Sequence, residues 1–168
     1  TAATTYYYWV FTYNNTSCSG GPVYSSTATT FSQGTATCPT FSSTISIGGS
    51  TTPGSSYATL SAAIADIKAC GISQPTILEL SSTYTSGSET FPITLSSVSG
   101  ASVTNTITIR PASDATGRSV TSANTTATID INGGQYWVID GRPGGIGTTK
   151  DLTIINTSTA TGGTAVRF

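Results

Sequence analysis

Short segments of alternating apolar and polar residues recur beyond residue 75. They cover residues 76–80, 93–95, 106–110, 128–131, 137–139, 152–155 and 165–168. Each segment is rich in Ile, Val, Leu or Thr and is bounded by Gly, Asn, Asp, Ser or Pro. A period of two is the pattern of a half-buried β-strand, and the bounding residues are typical of turns. This part of the chain must therefore fold mainly from many short strands.

The spacing of these segments favours a repeat. Ile107, Ile129 and Thr153 are separated by 22 and 24 residues, within the range that indicates a solenoid. One layer of such short strands cannot bury its own apolar side chains, whereas stacked layers about 4.8 Å apart bury a continuous column. We expect this column to contain Ile107, Ile109, Ile129, Ile131, Val138, Leu152 and Ile154. A β-sandwich of similar strands is the alternative.

One amphipathic helix is predicted over residues 57–70. Its apolar residues recur at helical spacing, namely Tyr57, Leu60, Ile64 and Ile67. Ser55 and Ser56 precede the pattern as capping residues and Gly71 follows it. A helix of about 14 residues is roughly 20 Å long, which is enough to cover the end of a core built from sheets.

Residues 1–53 differ from the rest and are predicted to form an N-terminal arm, with the folded module in residues 54–168. The run from Tyr6 to Tyr13 has the highest strand propensity in the chain, and both of its faces are apolar. We expect it to be covered on both sides, either as an inner strand or by docking onto a neighbouring subunit. Residues 14–53 are rich in Ser, Thr, Gly and Pro and predict turns and short strands.

The aromatic run from Tyr6 to Tyr13 is one segment through which we expect the chain to associate with further copies. An apolar segment at residues 165–168 is the other candidate, because exposed strand edges are templates for pairing. The candidate assembly residues are Tyr6, Tyr7, Tyr8, Trp9, Phe11, Tyr13 and Phe168.

Charged side chains are scarce in this chain. Of its 168 residues 8% are charged, the net charge is −1 and histidine is absent. There is consequently no basic surface for nucleic acid and no His to activate a serine nucleophile. No segment approaches the twenty apolar residues of a membrane span. A polar surface made of Ser and Thr hydroxyls suits an extracellular wall or fibre, and no cofactor is expected.

Three cysteines are present: Cys18, Cys38 and Cys70. The first two lie in irregular, Ser/Thr-rich chain and Cys70 closes the predicted helix, so we predict a Cys18–Cys38 disulfide and a free Cys70. This bond would close a loop of about 20 residues and contribute roughly 3 kcal/mol. Three separate thiols are the alternative.

The acidic residues Asp130, Asp140 and Asp151 lie near strand ends and are the candidates for chemistry. Converging carboxylates near Arg142 or Arg167 would indicate a polysaccharide lyase or hydrolase, or a calcium site. Each Asp stands beside or within two residues of Gly, Asn or Lys, however, where a turn favours this residue type. The turn interpretation is preferred, and no catalytic or metal-binding residue is assigned.

Four sequons mark candidate glycosylation sites, at Asn14, Asn15, Asn124 and Asn156. In a chain so rich in Thr most of them are expected to arise by chance.

Several segments together resemble a known group of proteins. Residues 106–111, 127–134, 136–145, 151–158 and 165–168, above all the Ile-Asp-Gly-Arg-Pro-Gly-Gly run at 139–145, are similar to the start of right-handed parallel β-helix proteins exported to the surface of Bacteroidota. Many of those look like cargo of the type nine secretion pathway. The resemblance implies an all-β, right-handed parallel β-helix whose first layer is capped by a helix at 57–70.

The function expected from these features is that of an extracellular, non-enzymatic structural or adhesive module, such as the subunit of a cell-surface fibre. Its expected partners are further copies, further β-helix of the same protein, or surface glycans. A polysaccharide lyase or glycoside hydrolase fragment and a glycan-binding stalk are the alternatives.

Overall fold

The structure, a computed structural model, describes residues 5–14, 23–34 and 37–168. The chain divides into two compact units, residues 1–38 and 39–168. The sequence suggested a boundary after residue 53, but residues 39–53 belong to the second unit. They include a strand, Thr44–Ile47, that pairs inside that unit.

The first unit contains two antiparallel strand pairs among its described residues. Strand β1 (Thr5–Val10) pairs with β4 (Thr29–Gly34). Strand β2 (Tyr13–Asn14) pairs with β3 (Val23–Tyr24).

The second unit contains one helix and ten strands. In chain order they are β5 (Thr44–Ile47), β6 (Ser56–Tyr57), α1 (Leu60–Cys70), β7 (Thr76–Leu80), β8 (Ile93–Leu95), β9 (Ile107–Pro111), β10 (Arg118–Ser122), β11 (Ala127–Ile131), β12 (Trp137–Ile139), β13 (Leu152–Asn156) and β14 (Thr164–Arg167). Short 3₁₀ turns lie at Ser86–Ser88 and Pro143–Gly145.

These strands form three parallel sheets. One sheet has the order β12-β9-β7-β5-β6, the second β14-β11-β8, and the third pairs β10 with β13. Every strand pair in them is parallel. Parallel neighbours cannot be joined by a tight hairpin, and apart from β5 and β6, strands that are adjacent in a sheet are not consecutive in the chain.

The prediction of an all-β, right-handed parallel β-helix is wrong. The sheets are mixed, parallel in the second unit and antiparallel in the first, and a helix completes the core. Helix accounts for 11% of the residues and strand for 36%, and no solenoid is detected in the described chain.

The predicted repeat is wrong as well. Ile107 pairs with Thr76 and Trp137, which are 31 and 30 residues away along the chain. Ile129 and Thr153 belong to the other two sheets. The residues spaced by 22 and 24 positions thus lie in strands that do not pair with one another. The spacing was misleading because strands of all three sheets show the same alternation of Ile and Thr.

The core lies in the second unit and is built from alternate residues of the strands. Ile107, Ile109 and Ile129 are buried, as predicted, with Leu78 and Leu80 in the same cluster. Ile131, Leu152 and Ile154 are partly buried against this cluster.

Val138 does not belong to the core and is 42% exposed, so this part of the prediction is wrong. It lies opposite Thr108, and both residues are on the outward side of their sheet. Trp137, the residue before it, packs against the core instead.

The predicted helix is confirmed, although it begins at Leu60 rather than near Tyr57, which lies in β6. The side chain of Thr59 accepts a hydrogen bond from the backbone N–H of Ala62 and caps the first turn. At the other end Gly71 has a φ of 75°, and its N–H donates to Ile67.

A carboxylate from a distant segment completes the cap of α1. Glu89 accepts hydrogen bonds from the backbone N–H groups of Leu60, at 2.6 Å, and of Ser61, at 2.8 Å. It also accepts the Ser61 hydroxyl. A negative charge at this position satisfies free N–H groups and interacts favourably with the helix dipole.

The predicted Cys18–Cys38 disulfide is wrong. Cys38 is bonded to Cys70, the last residue of α1, and Cys18 lies outside the described residues. Cys18 and Cys38 lie in similar local sequence, but disulfide formation depends on proximity in the fold.

Replacement of Ile129 by Ala should lower the free energy of unfolding by about 2 to 5 kcal/mol, because this side chain is 1% exposed. The matched variant Val138→Ala should cost less than about 1 kcal/mol, because that side chain is largely in solvent. Denaturant titration of both variants measures the difference. Equal losses would contradict the assigned strand alternation.

The disulfide predicts a second stability difference. Replacing both Cys38 and Cys70 by Ser opens a loop of about 30 residues and should cost about 3 to 4 kcal/mol by the chain-entropy estimate. Peptide mapping without reduction should recover the Cys38–Cys70 linkage from the native protein. A Cys18–Cys38 linkage in that map would refute the assignment.

Candidate functional site

The aromatic strand β1 leaves its side chains in solvent. Tyr7 is 69% exposed and Trp9 is 65% exposed. The other aromatic residues of the run are exposed too, namely Tyr6, Tyr8, Phe11 and Tyr13. The sequence allowed β1 to be an inner strand, but in the described chain its one pairing partner is β4.

Both faces of this strand pair carry aromatic rings, because successive side chains of a strand point to opposite faces. On one face Tyr8 stacks on Phe31 of β4, with ring centroids 4.9 Å apart and ring planes inclined by 14°. The other face carries Tyr7 and Trp9, whose cross-strand neighbours are the small hydroxyl residues of β4. We call the pair Thr5–Val10 and Thr29–Gly34 the aromatic sheet.

The aromatic sheet also has two open edges. β1 and β4 each have one partner among the described strands, so the N–H and C=O groups on their outer edges have no strand to pair with. Such edges are templates for another chain, and a two-stranded ribbon is marginal in water on its own. The aromatic sheet therefore has exposed apolar faces, and it has polar edges with which a further strand could pair.

Phe168, the remaining candidate for assembly, follows β14 in the second unit and is 93% exposed. β14 and β12 are edge strands of their sheets. Phe168 thus lies beside a strand with an open edge, outside the aromatic sheet.

The acidic residues considered for catalysis are held by arginines. Asp130 of β11 accepts hydrogen bonds of 2.9 and 2.7 Å from Arg167 of β14. Asp140 accepts hydrogen bonds from the guanidinium of Arg142, two residues along, at 2.8 to 3.2 Å.

These pairs keep both carboxylates ionised. Hydrogen bonding from Arg167 lowers the pKa of Asp130 against the opposing effect of burial. The side chain and the backbone N–H of Arg142 hold the pKa of Asp140 at about 2. An ionised carboxylate has no proton to give, so neither residue is suited to act as a general acid at neutral pH.

The three aspartates do not form a metal-binding group. Asp130 lies in β11, Asp140 follows β12 and Asp151 precedes β13, so each is attached to a different sheet. The backbone N–H of Asp151 donates to the backbone oxygen of Gly141, next to Asp140, at 2.8 Å. Across residues 5–14, 23–34 and 37–168 no group of three His, Cys, Asp or Glu side chains is placed to hold a metal ion.

Two further acidic residues have structural partners. Glu89 caps α1, and Asp66 accepts a hydrogen bond of 2.8 Å from the Tyr57 hydroxyl. That hydroxyl in turn accepts the backbone N–H of Gly54 at 2.9 Å. Burial, aided by the neighbouring Asp66, raises the pKa of Tyr57.

The Tyr84 hydroxyl is a buried polar group without a hydrogen-bond partner in the described chain. Burial raises its pKa, and the negative charge of Glu89 adds to this effect. Tyr84 therefore stays neutral and packs as an aromatic core residue.

A groove of about 390 Å³ runs between α1 and the segment that contains β8. Its helix side is formed by small residues such as Ala62 and Ala65, with Lys68 as its one charged side chain. Thr94 of the edge strand β8 lies on the other side.

A second pocket of about 270 Å³ lies beside Arg118, the first residue of β10. Four of its other lining residues bear hydroxyl groups, namely Thr85, Ser86, Ser119 and Thr121; Gly117 and the otherwise buried Tyr84 complete the lining. Arg118 was not among the candidate residues predicted from the sequence. The sequence shows only that the chain has four arginines and few acidic residues. It does not show which arginine has no carboxylate as a partner.

Two of the sequon asparagines are used in turns. The Asn124 amide donates to the backbone oxygen of Phe91, and its side-chain oxygen accepts the N–H groups of Thr126 and Ala127. The Asn156 amide donates to the backbone oxygens of Asn124 and Thr164. A glycan on either amide would compete with these bonds. The side chain of Asn14 and all of Asn15 lie outside the described residues.

Comparison with protein-family models, with curated proteins and with solved structures finds no match for this chain. The resemblance to Bacteroidota surface proteins thus stays a prediction. No helix in the described chain is long and apolar enough to cross a membrane.

Acid should weaken the folded state through Asp140. Its pKa is held at about 2 in the folded protein, against about 4 when unfolded. The carboxylate thus stabilises the fold above about pH 4, and this contribution is lost as the pH falls towards 2. We expect the Tm difference between the parent and Asp140→Asn to be largest near pH 6 and to vanish near pH 2.

Circular dichroism melts at several pH values test this expectation. Asp114→Asn is the matched control, because Asp114 is exposed and has no ion pair within the described chain. Its substitution should change the Tm little at any pH. A Tm difference for Asp140→Asn that is independent of pH would count against the proposed role of Arg142.

Proposed function

We propose that this chain is an extracellular, non-enzymatic structural or adhesive module that associates with further copies of itself through the aromatic sheet. The observation that carries the proposal is the exposure of the aromatic run, with Tyr7 69% and Trp9 65% exposed on a two-stranded sheet with open edges. Large contiguous apolar surfaces of this kind mark interaction sites.

A second copy fits this surface better than an unrelated partner. The sheet is antiparallel, and among the described strands each copy offers both a free β1 edge and a free β4 edge. Pairing β1 of one copy with β4 of the next would repeat the contact that exists inside each copy. Such a head-to-tail contact does not close on itself and extends into a filament.

Two features support an extracellular, non-enzymatic role. The Cys38–Cys70 disulfide suits an oxidising compartment. Asp130, Asp140, Glu79 and Glu89 are engaged by arginines or by the helix terminus rather than facing a cleft.

Removal of the exposed rings should abolish self-association. The double variant Tyr7→Ser/Trp9→Ser keeps the strand backbone and the Tyr8–Phe31 stack but removes most of one aromatic face. We expect the parent chain to form oligomers or filaments, by multi-angle light scattering and negative-stain microscopy, and the variant to be monomeric.

A matched control separates this effect from a general loss of surface apolar groups. Ile146 is 74% exposed and lies outside the aromatic sheet, so Ile146→Ser should leave association unchanged. Phe168→Ser tests the second candidate surface in the same assay. Oligomers that persist in the double variant, or a parent chain that is monomeric at high concentration, would refute the proposal.

A further inference from the structure

The charge pattern sets one arginine apart. The chain has four arginines, and three of them form ion pairs: Arg110 with Glu79, Arg142 with Asp140, and Arg167 with Asp130. Arg118 forms none with any described residue. In a chain with so few charges, a partly buried arginine without a carboxylate partner leaves a local positive charge uncompensated.

The guanidinium of Arg118 is nevertheless fixed in place. Its Nε donates to the backbone oxygen of Thr116 at 3.1 Å, and its Nη1 donates to those of Ser82, at 2.8 Å, and Tyr84, at 3.4 Å. These acceptors carry no net charge. The second terminal nitrogen, Nη2, makes no hydrogen bond within the described chain, so its donors are free.

Asp151, whose backbone contacts that of Arg118, does not neutralise this charge. The backbone N–H of Arg118 donates to the backbone oxygen of Asp151 at 2.7 Å, but the two side chains form no ion pair. The lysines are not equivalent to Arg118, because Lys68 and Lys150 are both exposed to solvent.

The walls of the Arg118 pocket offer hydroxyl groups. Ser86 donates to the backbone oxygen of Ser119 at 3.0 Å and accepts the N–H of Thr121 at 2.9 Å, which orders this wall. The Thr85 side chain forms no hydrogen bond inside the described chain and is exposed. A volume of about 270 Å³ lies just below the roughly 300 to 1,000 Å³ of pockets for drug-sized ligands, which suits one small polar unit.

We propose that this pocket binds the carboxylate or sulfate group of an acidic sugar residue. A guanidinium is suited to a planar or tetrahedral oxyanion, because its N–H groups form charge-assisted hydrogen bonds. The surrounding hydroxyls both donate and accept, which matches the hydroxyls of a sugar. The pocket lacks an aliphatic lining side chain to anchor an acidic peptide.

This site goes beyond the proposed self-association and does not depend on it. It lies in the second unit, whereas the aromatic sheet lies in the first. Binding measured on the Tyr7→Ser/Trp9→Ser variant as well as on the parent chain therefore tests the pocket separately.

The test is a titration monitored by NMR, carried out on the isotope-labelled full chain with the Tyr7→Ser/Trp9→Ser substitutions, which is expected to be monomeric; the parent chain is titrated by calorimetry. The probes are glucuronic acid, glucose 6-sulfate, glucose and inorganic sulfate. We expect both acidic sugars to shift the amide resonances of Ser86, Ser119 and Thr121 and glucose not to do so. Loss of a charged hydrogen bond in Arg118→Gln should weaken binding about tenfold or more. Arg142→Gln, which alters an arginine outside the pocket, should not.

A second pair of variants covers the case in which Arg118→Gln fails to fold, since that side chain also holds three backbone oxygens. Thr85→Ala removes a hydroxyl that makes no internal hydrogen bond and should weaken binding severalfold. Thr125→Ala, at an exposed position outside the pocket, should leave binding unchanged. Equal binding of glucose and the acidic sugars, or no binding of either acid, would overturn the proposal. If inorganic sulfate binds as tightly as the acidic sugars, the proposal that the pocket recognises the sugar as well as the anion would be overturned.

Discussion

The second unit depends on parallel pairing between strands that are distant in the chain. Each of its strands is two to five residues long, too short to persist alone. Stability comes from placing Ile or Leu of one strand above Ile or Leu of the next, as where Leu78 lies beside Ile45 and Ile109. The helix α1 and its caps then cover apolar side chains that the sheets leave open.

Because charged residues are scarce, each ion pair links a specific pair of positions in the fold. Glu79 and Arg110 are cross-strand neighbours in one sheet, and Asp130 and Arg167 in another. Opposite charges at such positions stabilise the pairing in this register and disfavour a slip of the strands. Arg118 departs from this arrangement, which is why the pocket beside it is a candidate for binding an anion.

The local elements could be predicted from the sequence, and their pairing could not. The strands at 76–80, 93–95 and 137–139 agree with the structure residue for residue. β10 was missed because its core contribution is a single apolar side chain, Val120. A period of two describes one strand and carries no information on its partner. The predicted repeat and the predicted burial of Val138 were therefore wrong. The predicted disulfide was wrong because the local sequence around a cysteine does not show which other cysteine is close in the fold. The exposed aromatic run was identified as a candidate surface, whereas its pairing with β4 and the Arg118 pocket required coordinates.

The cap on α1 also determines when this helix can be complete during synthesis. A helix of 11 residues is marginal in water by itself. Its first turn is closed by Glu89, 28 or 29 residues further along the chain. While the protein emerges from the ribosome, the segment Leu60–Cys70 therefore lacks part of its cap until residue 89 has left the exit tunnel. Completion of α1 thus depends on the segment that follows β7 and not only on the residues of the helix itself.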